Sequence, residues 1–412
     1  MIKSTLLPAF CLLAHLSFSQ GKVDKDNIII GHTDSLQSGI LGEQRKIWVH
    51  VPDGAPNSKD RYPVVYVLDG DGLFSSVVGM IQQLSTGGNS NVPKMMVVAI
   101  PNTDRTRDLT PTHIDASPPF MDSASSKTSG GGENFIAFME KELMPHIEAK
   151  YPAAPYKILI GHSFGGLAVM QAFTHHNHLF NAYIAIDPSM WWDKEKLLKQ
   201  VQQVLTEKKF EGKSLYLGIA NTMDEGMDIS KVEKDTSGDT QHIRSILALQ
   251  ASLEKNKQNG LKYKGKYYPD DSHGSVPLIT EYDALRFFFD FFPLKFTMKD
   301  YTDSTGALAD KYQSHFARLS QKMGYTIKPD EMEVNYIGYD FLGRKLYKSA
   351  GSLFKLNVDN YPESLNVYDS YGDYFVAIGD KENAIIQFKK SLSIQENESS
   401  RKKLTELETG KK

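Results

Sequence analysis

Apolar residues between positions 45 and 300 follow two rhythms. The short runs RKIWVHVP, PVVYVLDG, MMVVAIP, KILIG, AYIAIDP and SLYLGIA are β-branched or aromatic and end at Gly, Pro, Asp or Asn, as strands do. Between several of them lie longer stretches with helical spacing. In ENFIAFMEKELMPHIEAKY, Phe135, Met139, Leu143 and Ile147 recur every four residues, which predicts a helix that Pro145 kinks without abolishing. Near-continuous apolar strands alternating with helices predict a mostly parallel sheet with helices on both faces, an α/β architecture.

After RFFFDFFPLKF (286–296) the strand signals stop and the remainder reads as helix. A shift of 34 residues aligns Gly338 with Gly372, Ala350 with Ala384 and Phe354 with Phe388. This is the period of a tetratricopeptide repeat, a helix–turn–helix unit with small residues where its helices cross. Two such units rarely bury enough apolar surface alone, so they are expected to lean on the preceding domain or on a helix around 307–323.

The chain has 412 residues, too many for one typical core, and its 40% hydrophobic and 24% charged residues are ordinary for a globular protein. A net charge of −3 argues against a nucleic-acid partner, and no basic run suggests an anionic membrane. At the start, Lys3, the apolar core LLPAFCLLAHLSF and the small residues SFS before Gln20 have the layout of a signal peptide over 1–19. That core is too short for a membrane span, which needs roughly 20 residues. The expected organisation is therefore a signal peptide (1–19), an α/β domain (20–300) and an all-α repeat domain (301–412), exported to a periplasm or secreted. The single cysteine, Cys11, lies in the leader. The mature chain would have no disulfide, thiol nucleophile or cysteine metal site.

The candidate chemistry begins at ILIGHSFGGLAVM. Gly161-His162-Ser163-Phe164-Gly165 fits a nucleophile elbow, in which a strand reverses sharply into a helix and lifts the serine hydroxyl above the sheet. A serine needs a base, and on an α/β-hydrolase fold the chain order is Ser, acid, His. His273 in YYPDDSHGSVP occupies a late loop after a strand-like run; His242 falls in a helical stretch that reads as solvated. For the acid, Asp224 after SLYLGIA is favoured, with Glu225, Asp187, Asp270 and Asp271 or a Ser–His dyad left open. Oxyanion donors would be the N–H of Phe164 and, in YVLDGDGLF, that of Asp71 or Gly72. His175, His176 and His178 lack a ligand spacing and follow a helix end, so no metal is assigned. The mechanism requires no cofactor.

The stretches VVYVLDGDGLF, NTDRTRDLTP, SGGGENFIAFMEKELMPHIEAKY, ILIGHSFGGL, AYIAIDPSMWW and DDSHGSVP together resemble the esterase D family of α/β-hydrolases, in particular its enterochelin-esterase-like members, across about 40–295. The tail looks like the tetratricopeptide-type extension of some exported bacterial members. The resemblance implies hydrolysis of carboxylic esters through an acyl-serine on Ser163, with His273 as base. Many members have serine where this chain has Asp187, which keeps that carboxylate a rival acid. It also suggests substrate contacts from Trp191 and Trp192, beyond a strand's C-terminal end, and from Arg105 and Arg107, which could instead pair with Asp104 and Asp108. The segment 111–132 reads as a lid or entrance loop. The expected substrate is a siderophore lactone or an acetylated or feruloylated saccharide. The alternative is a non-catalytic scaffold that recruits a protein through its repeats.

Overall fold

The computed structural model describes residues 27–52, 60–86, 91–115 and 123–410. The expected signal peptide and residues 116–122 of the expected lid lie outside them. Eight strands form one sheet in the order β1-β2-β4-β3-β5-β6-β7-β8. They are β1 (His32–Ser38), β2 (Glu43–His50), β3 (Tyr62–Leu68), β4 (Met96–Ile100), β5 (Ala153–His162), β6 (Ala182–Ile186), β7 (Ser214–Ala220) and β8 (Lys262–Tyr268). Only the β1–β2 and β2–β4 pairings are antiparallel; β4 through β8 run parallel.

The two sheet faces bury alternate residues of the same strands. Val64, Tyr66 and Leu68 join one apolar cluster with Phe135, Leu167 and Val201, whereas Val65 and Val67 join a second with Val77, Ile81 and Leu285. Side chains of a strand alternate between faces, so strands covered on both sides must be apolar throughout. Every residue of β3, β4, β6 and β7 is buried. The strand the apolar runs did not reveal, β1, is HTDSLQS, a polar edge strand with its first two residues exposed.

Pro145 acts differently from a simple kink. The helical stretch runs from Gly132 to Lys150, but its central turn, Met139–Leu143, widens into a π-helical turn just before the proline. A π turn re-registers the backbone bonds where the proline nitrogen has no hydrogen to donate. Phe135, Met139, Leu143 and Ile147 all remain buried.

The C-terminal region is all helical, with helices at Ala307–Met323, Glu331–Gly343, Tyr347–Asn360, Leu365–Ala377, Lys381–Ile394 and Glu398–Thr409. The 34-residue register is one of packing. A Cβ on Gly338 would lie 2.9 Å from Phe354 Cε1, and one on Gly372 would lie 2.5 Å from Phe388 Cε1. In both helix pairs a phenylalanine presses on the backbone of the preceding helix at a residue without a side chain. Ala350 and Ala384 are fully buried beside these contacts. The region also rests on the sheet unit: Met323 belongs to the same cluster as Tyr156, Phe288 and Phe289, and His315 Nε2 lies 2.9 Å from the Phe292 carbonyl oxygen. Among the described residues no helix is long and apolar enough to cross a membrane.

One buried acid sits between two covering helices. Ser76, on Gly70–Ser85, donates a hydrogen bond of 3.1 Å to Glu281 Oε2, on Val276–Phe288. Burial pushes the Glu281 carboxyl up to about 8, outweighing this one bond. The folded state thus keeps a proton that the unfolded state releases near the usual carboxylate range. Stability should fall by about 1.4 kcal/mol per pH unit between roughly pH 5 and 8, and level off above, from this group. Glu281→Gln is expected to remove that slope, which urea melts at pH 5, 6.5 and 8 would show; parallel pH dependence in both proteins would refute it.

Candidate active site

Ser163 stands at the corner between β5 and the helix Phe164–His175, with φ 59° and ψ −114°. A non-glycine residue in this strained region is held there by its surroundings. Its N–H donates to the Ile186 carbonyl at 3.0 Å, and its own carbonyl accepts from Leu167 and Ser189. Gly161 makes the turn possible, because a Cβ there would lie 2.3 Å from the Gly165 carbonyl oxygen. A serine at a helix start usually turns its hydroxyl onto the first free N–H groups. Ser163 does not: its Oγ makes no cap and lies 3.4 Å from Ser189 Oγ. The hydroxyl and the open N-terminus of the helix therefore remain available on the same side.

The carboxylate that meets His273 is Asp187, at the end of β6. Asp187 Oδ2 is 2.6 Å from His273 Nδ1 and 2.8 Å from His242 Nε2, and Oδ1 accepts the Ala220 N–H at 2.9 Å. Asp187 is fully buried. Burial favours its neutral form, yet the bonds from His242, His273 and Ala220 win and hold the carboxyl well below the ordinary range. An ionised carboxylate only accepts, so both imidazole nitrogens facing it carry hydrogens. In neutral His273 this leaves Nε2 as the basic nitrogen.

A third imidazole completes the floor. The His162 ring centroid is 4.4 Å from that of His273, and burial above all pushes its pKa down to about 4. Neutral at ordinary pH, it adds no positive charge beside His273. Arg105 closes one side, donating through Nε and Nη2 to the two oxygens of Asp69 at 2.7 and 2.9 Å, and through Nη2 to the His162 carbonyl at 3.3 Å. Its guanidinium lies 5.2 Å from the Phe164 ring centroid. Ser163, Ser189, Trp191, His242, His273 and Asp239 are among the residues lining one cavity of about 340 Å³, near the small end of ligand sites.

The other sequence candidates are placed elsewhere. Asp224 and Glu225 are exposed on the loop after β7, and Asp270 is exposed before His273. Asp271 Oδ1 accepts from Ser275 instead. The expectation of Asp224 as His273's partner is thus corrected: β6 delivers its terminal carboxylate under His273, while the chain after β7 turns outward to solvent. Neither Asp71 nor Gly72 lines the cavity, and the Gly72 N–H is spent on the Asp69 carbonyl in the first turn of Gly70–Ser85. Trp192 is buried core, with its indole N–H donating to the Thr112 carbonyl at 3.0 Å; only Trp191 of the pair reaches the cavity. Arg107 is held by Glu43 and Asp108, away from the cavity, and these bonds raise its pKa further. The ends of the expected lid are pinned, with Gly131 and Gly132 donating to the Arg107 and Thr110 carbonyls.

Reading residues in order missed Ser189 and misjudged His242. The signal for His242 was present: it shares a stripe with the buried Ile246, Leu249 and Leu253 on the helix Gln241–Lys255. Helical spacing places it on the inner flank rather than in solvent. Asp187, His242 and His273 also bring three possible ligand atoms within 4.8 Å of one another. A zinc ion with bonds of about 2 Å would hold its ligand atoms roughly 3.3 Å apart. The observed 2.6 and 2.8 Å are hydrogen-bond spacings, so the cluster is a proton-sharing network. His175, His176 and His178 face Gln200, Glu133 and Glu140 separately.

Residues 38–273, from the end of β1 to the histidine of this cluster, match the Esterase family. The chain belongs to that family. This esterase is 30% identical over 236 residues to the ferri-bacillibactin esterase BesA of Bacillus subtilis, covering 55% of the chain and 78% of the relative. It is 25% identical over 244 residues to the siderophore triacetylfusarinine C esterase of Aspergillus fumigatus, covering 56% and 82%. Among solved structures, an IroE-like serine hydrolase from Shewanella oneidensis superimposes with a TM-score of 0.67 at 31% identity, over 79% of this chain and 98% of that one. The esterase is thus an ester hydrolase on an α/β-hydrolase fold, of the enterochelin-esterase-like kind, with an all-helical C-terminal region.

Proposed function

We propose that the esterase is an exported serine hydrolase that opens siderophore-type esters through an acyl-serine on Ser163. The observation that carries this is the strained, uncapped Ser163 sharing one cavity with a His273 whose Nδ1 is tied to a buried carboxylate. His273 Nε2 takes the hydroxyl proton as Oγ attacks the ester carbonyl. The tetrahedral oxyanion forms against the N–H of Phe164, where the helix dipole favours negative charge. His273 then gives its proton to the departing alcohol, and water repeats the steps to free the acid. Asp187 stabilises the transient imidazolium.

The substrate class rests on the named activities of the relatives and on the cavity walls. Phe164 and Trp191 offer aromatic surface, and Arg105, its charge balanced by Asp69, offers a fixed cation edge. Such walls suit an ester bearing a planar aromatic group better than a plain acetyl ester, and the relatives' siderophore substrates favour the trilactone among aromatic-bearing esters. The leader over 1–19 supports export, and the repeated glycine–phenylalanine packing supports a tetratricopeptide-type domain beyond about residue 300 that could hold a protein partner.

The test is a panel of esters given to the purified protein, with ferric and iron-free trilactone siderophores beside acetylated and feruloylated saccharides. Preferential trilactone opening is expected. A preference for the saccharide esters would overturn the substrate class but keep the mechanism. Failure of a fluorophosphonate probe to label Ser163 would remove the mechanism itself.

A further inference from the structure

Asp187 is not a private partner of His273. Its Oδ2 receives two imidazole N–H groups, from His273 Nδ1 and from His242 Nε2, while Oδ1 is occupied by the Ala220 N–H. The two rings meet edge to face, 86° apart, with centroids 5.2 Å from each other. The elements involved come from three parts of the fold: Asp187 directly follows β6, His273 lies beyond β8, and His242 sits in the first turn of Gln241–Lys255.

We infer that His242 is a positioning residue for the hydrolytic reaction: it clamps the acid so that one carboxylate oxygen stays aimed at His273 Nδ1. This rests on the reading of Ser163, His273 and Asp187 given above. A carboxylate at a strand end can rotate about its last bond. One N–H on Oδ1 leaves Oδ2 free to swing, and a single bond from His273, a half-exposed loop residue, has to hold both partners at once. His242 removes that freedom from the side of a helix packed on the sheet through Ile243, Ile246, Leu249 and Leu253. Charge-assisted bonds of this kind are strong and directional, and the rate depends steeply on where the base sits. Asp187 also has a positive φ of 41°, and its N–H donates to the Gly218 carbonyl at 2.8 Å, so the main chain beneath the side chain is fixed as well. The clamp and the backbone act on one carboxylate from opposite ends.

The inference predicts a particular pattern of losses. His242→Phe keeps an aromatic ring and removes the N–H. With a small acetate ester, kcat is expected to fall about tenfold with KM within about twofold, and fluorophosphonate labelling of Ser163 to slow by the same factor. His242→Gln can offer an amide N–H in place of Nε2 and should recover most of the rate. In an Asp187→Asn background, adding His242→Phe should cost little more, because the group it positions is already gone. Circular dichroism and melting curves of each variant separate these effects from misfolding.

If His242→Phe keeps wild-type kcat and labelling rate, or if Gln fails to rescue a folded protein, the clamp is refuted. Full additivity with Asp187→Asn would also refute it. Ser163→Ala run alongside distinguishes the two levels: turnover surviving in that variant would overturn the underlying mechanism, whereas a dead Ser163→Ala with an unaffected His242→Phe would overturn only this inference.

Discussion

Ser163→Ala is expected to lower ester turnover by at least roughly 10⁴-fold and to abolish fluorophosphonate labelling, while leaving the melting curve nearly unchanged. The loss follows from removing the atom proposed to form the acyl bond; the remaining helix N-terminus and cavity can still bind and polarise an ester. Ser189 cannot substitute. Its Oγ is 3.4 Å from that of Ser163, but it is buried at 2% exposure and belongs to the turn after β6 rather than to the elbow. The variant should fold because Ser163 Oγ caps nothing. Alanine at φ 59° is no less strained than serine, so the substitution relieves nothing and the melting curve should hardly move. Equal turnover in both proteins would exclude Ser163 as the nucleophile.

Asp187→Asn should cost about 10³–10⁴-fold in kcat, and Asp224→Asn less than about twofold. The asparagine keeps the volume but cannot satisfy its surroundings. Asp187 accepts the Ala220 N–H on one oxygen and two imidazole N–H groups on the other. Facing Ala220, the NH₂ confronts a backbone N–H. Facing the imidazoles, it makes His273 accept at Nδ1 and carry its hydrogen on Nε2, where the ring cannot take a serine proton. Either way no negative charge remains to stabilise the imidazolium. Asp224 is exposed, and its change should be felt as little as most surface substitutions. The measurement is kcat and KM for both variants on one chromogenic ester, with melting curves to control for folding. Comparable losses in the two, or a loss confined to Asp224→Asn, would return the acid to the loop after β7.

The parallel strands were legible because being buried on both faces leaves no room for polar alternation, and β3, β4, β6 and, past Ser214, β7 are apolar throughout. The elbow was legible because its geometry demands glycine where Gly161 meets Gly165, so the constraint is written locally. The tail register was legible for the same reason: a phenylalanine packed on a helix backbone leaves a glycine as its trace. The acid was not. Asp187 and Asp224 both follow apolar strands, and nothing within either segment tells whether the chain beyond turns inward or out. That depends on the neighbouring strand, since the Asp187 N–H is held by Gly218 of β7. His242 was hidden because its neighbours Gln241 and Arg244 are polar, although its stripe is not. Gly72 failed as an oxyanion donor because helix formation begins at Gly70 and consumes its N–H. The division between Trp191 and Trp192 lay beyond any pattern, since adjacent residues reach different surroundings only after the loop around Thr112 arrives.

Met323, at the end of the helix Ala307–Met323, shares its cluster with Val276, Leu285, Phe288 and Phe289, and Val276 follows His273 by three positions. The two ends of one short helix are therefore loaded differently, one carrying the loop of His273 and the other bearing the weight of the tail. Severing the tail near residue 300 would strip the lower bearing and wet several aromatic rings at once. A protein trimmed there should suffer in shelf life and in His273 alignment together, so the appendage is better regarded as a keel than as cargo.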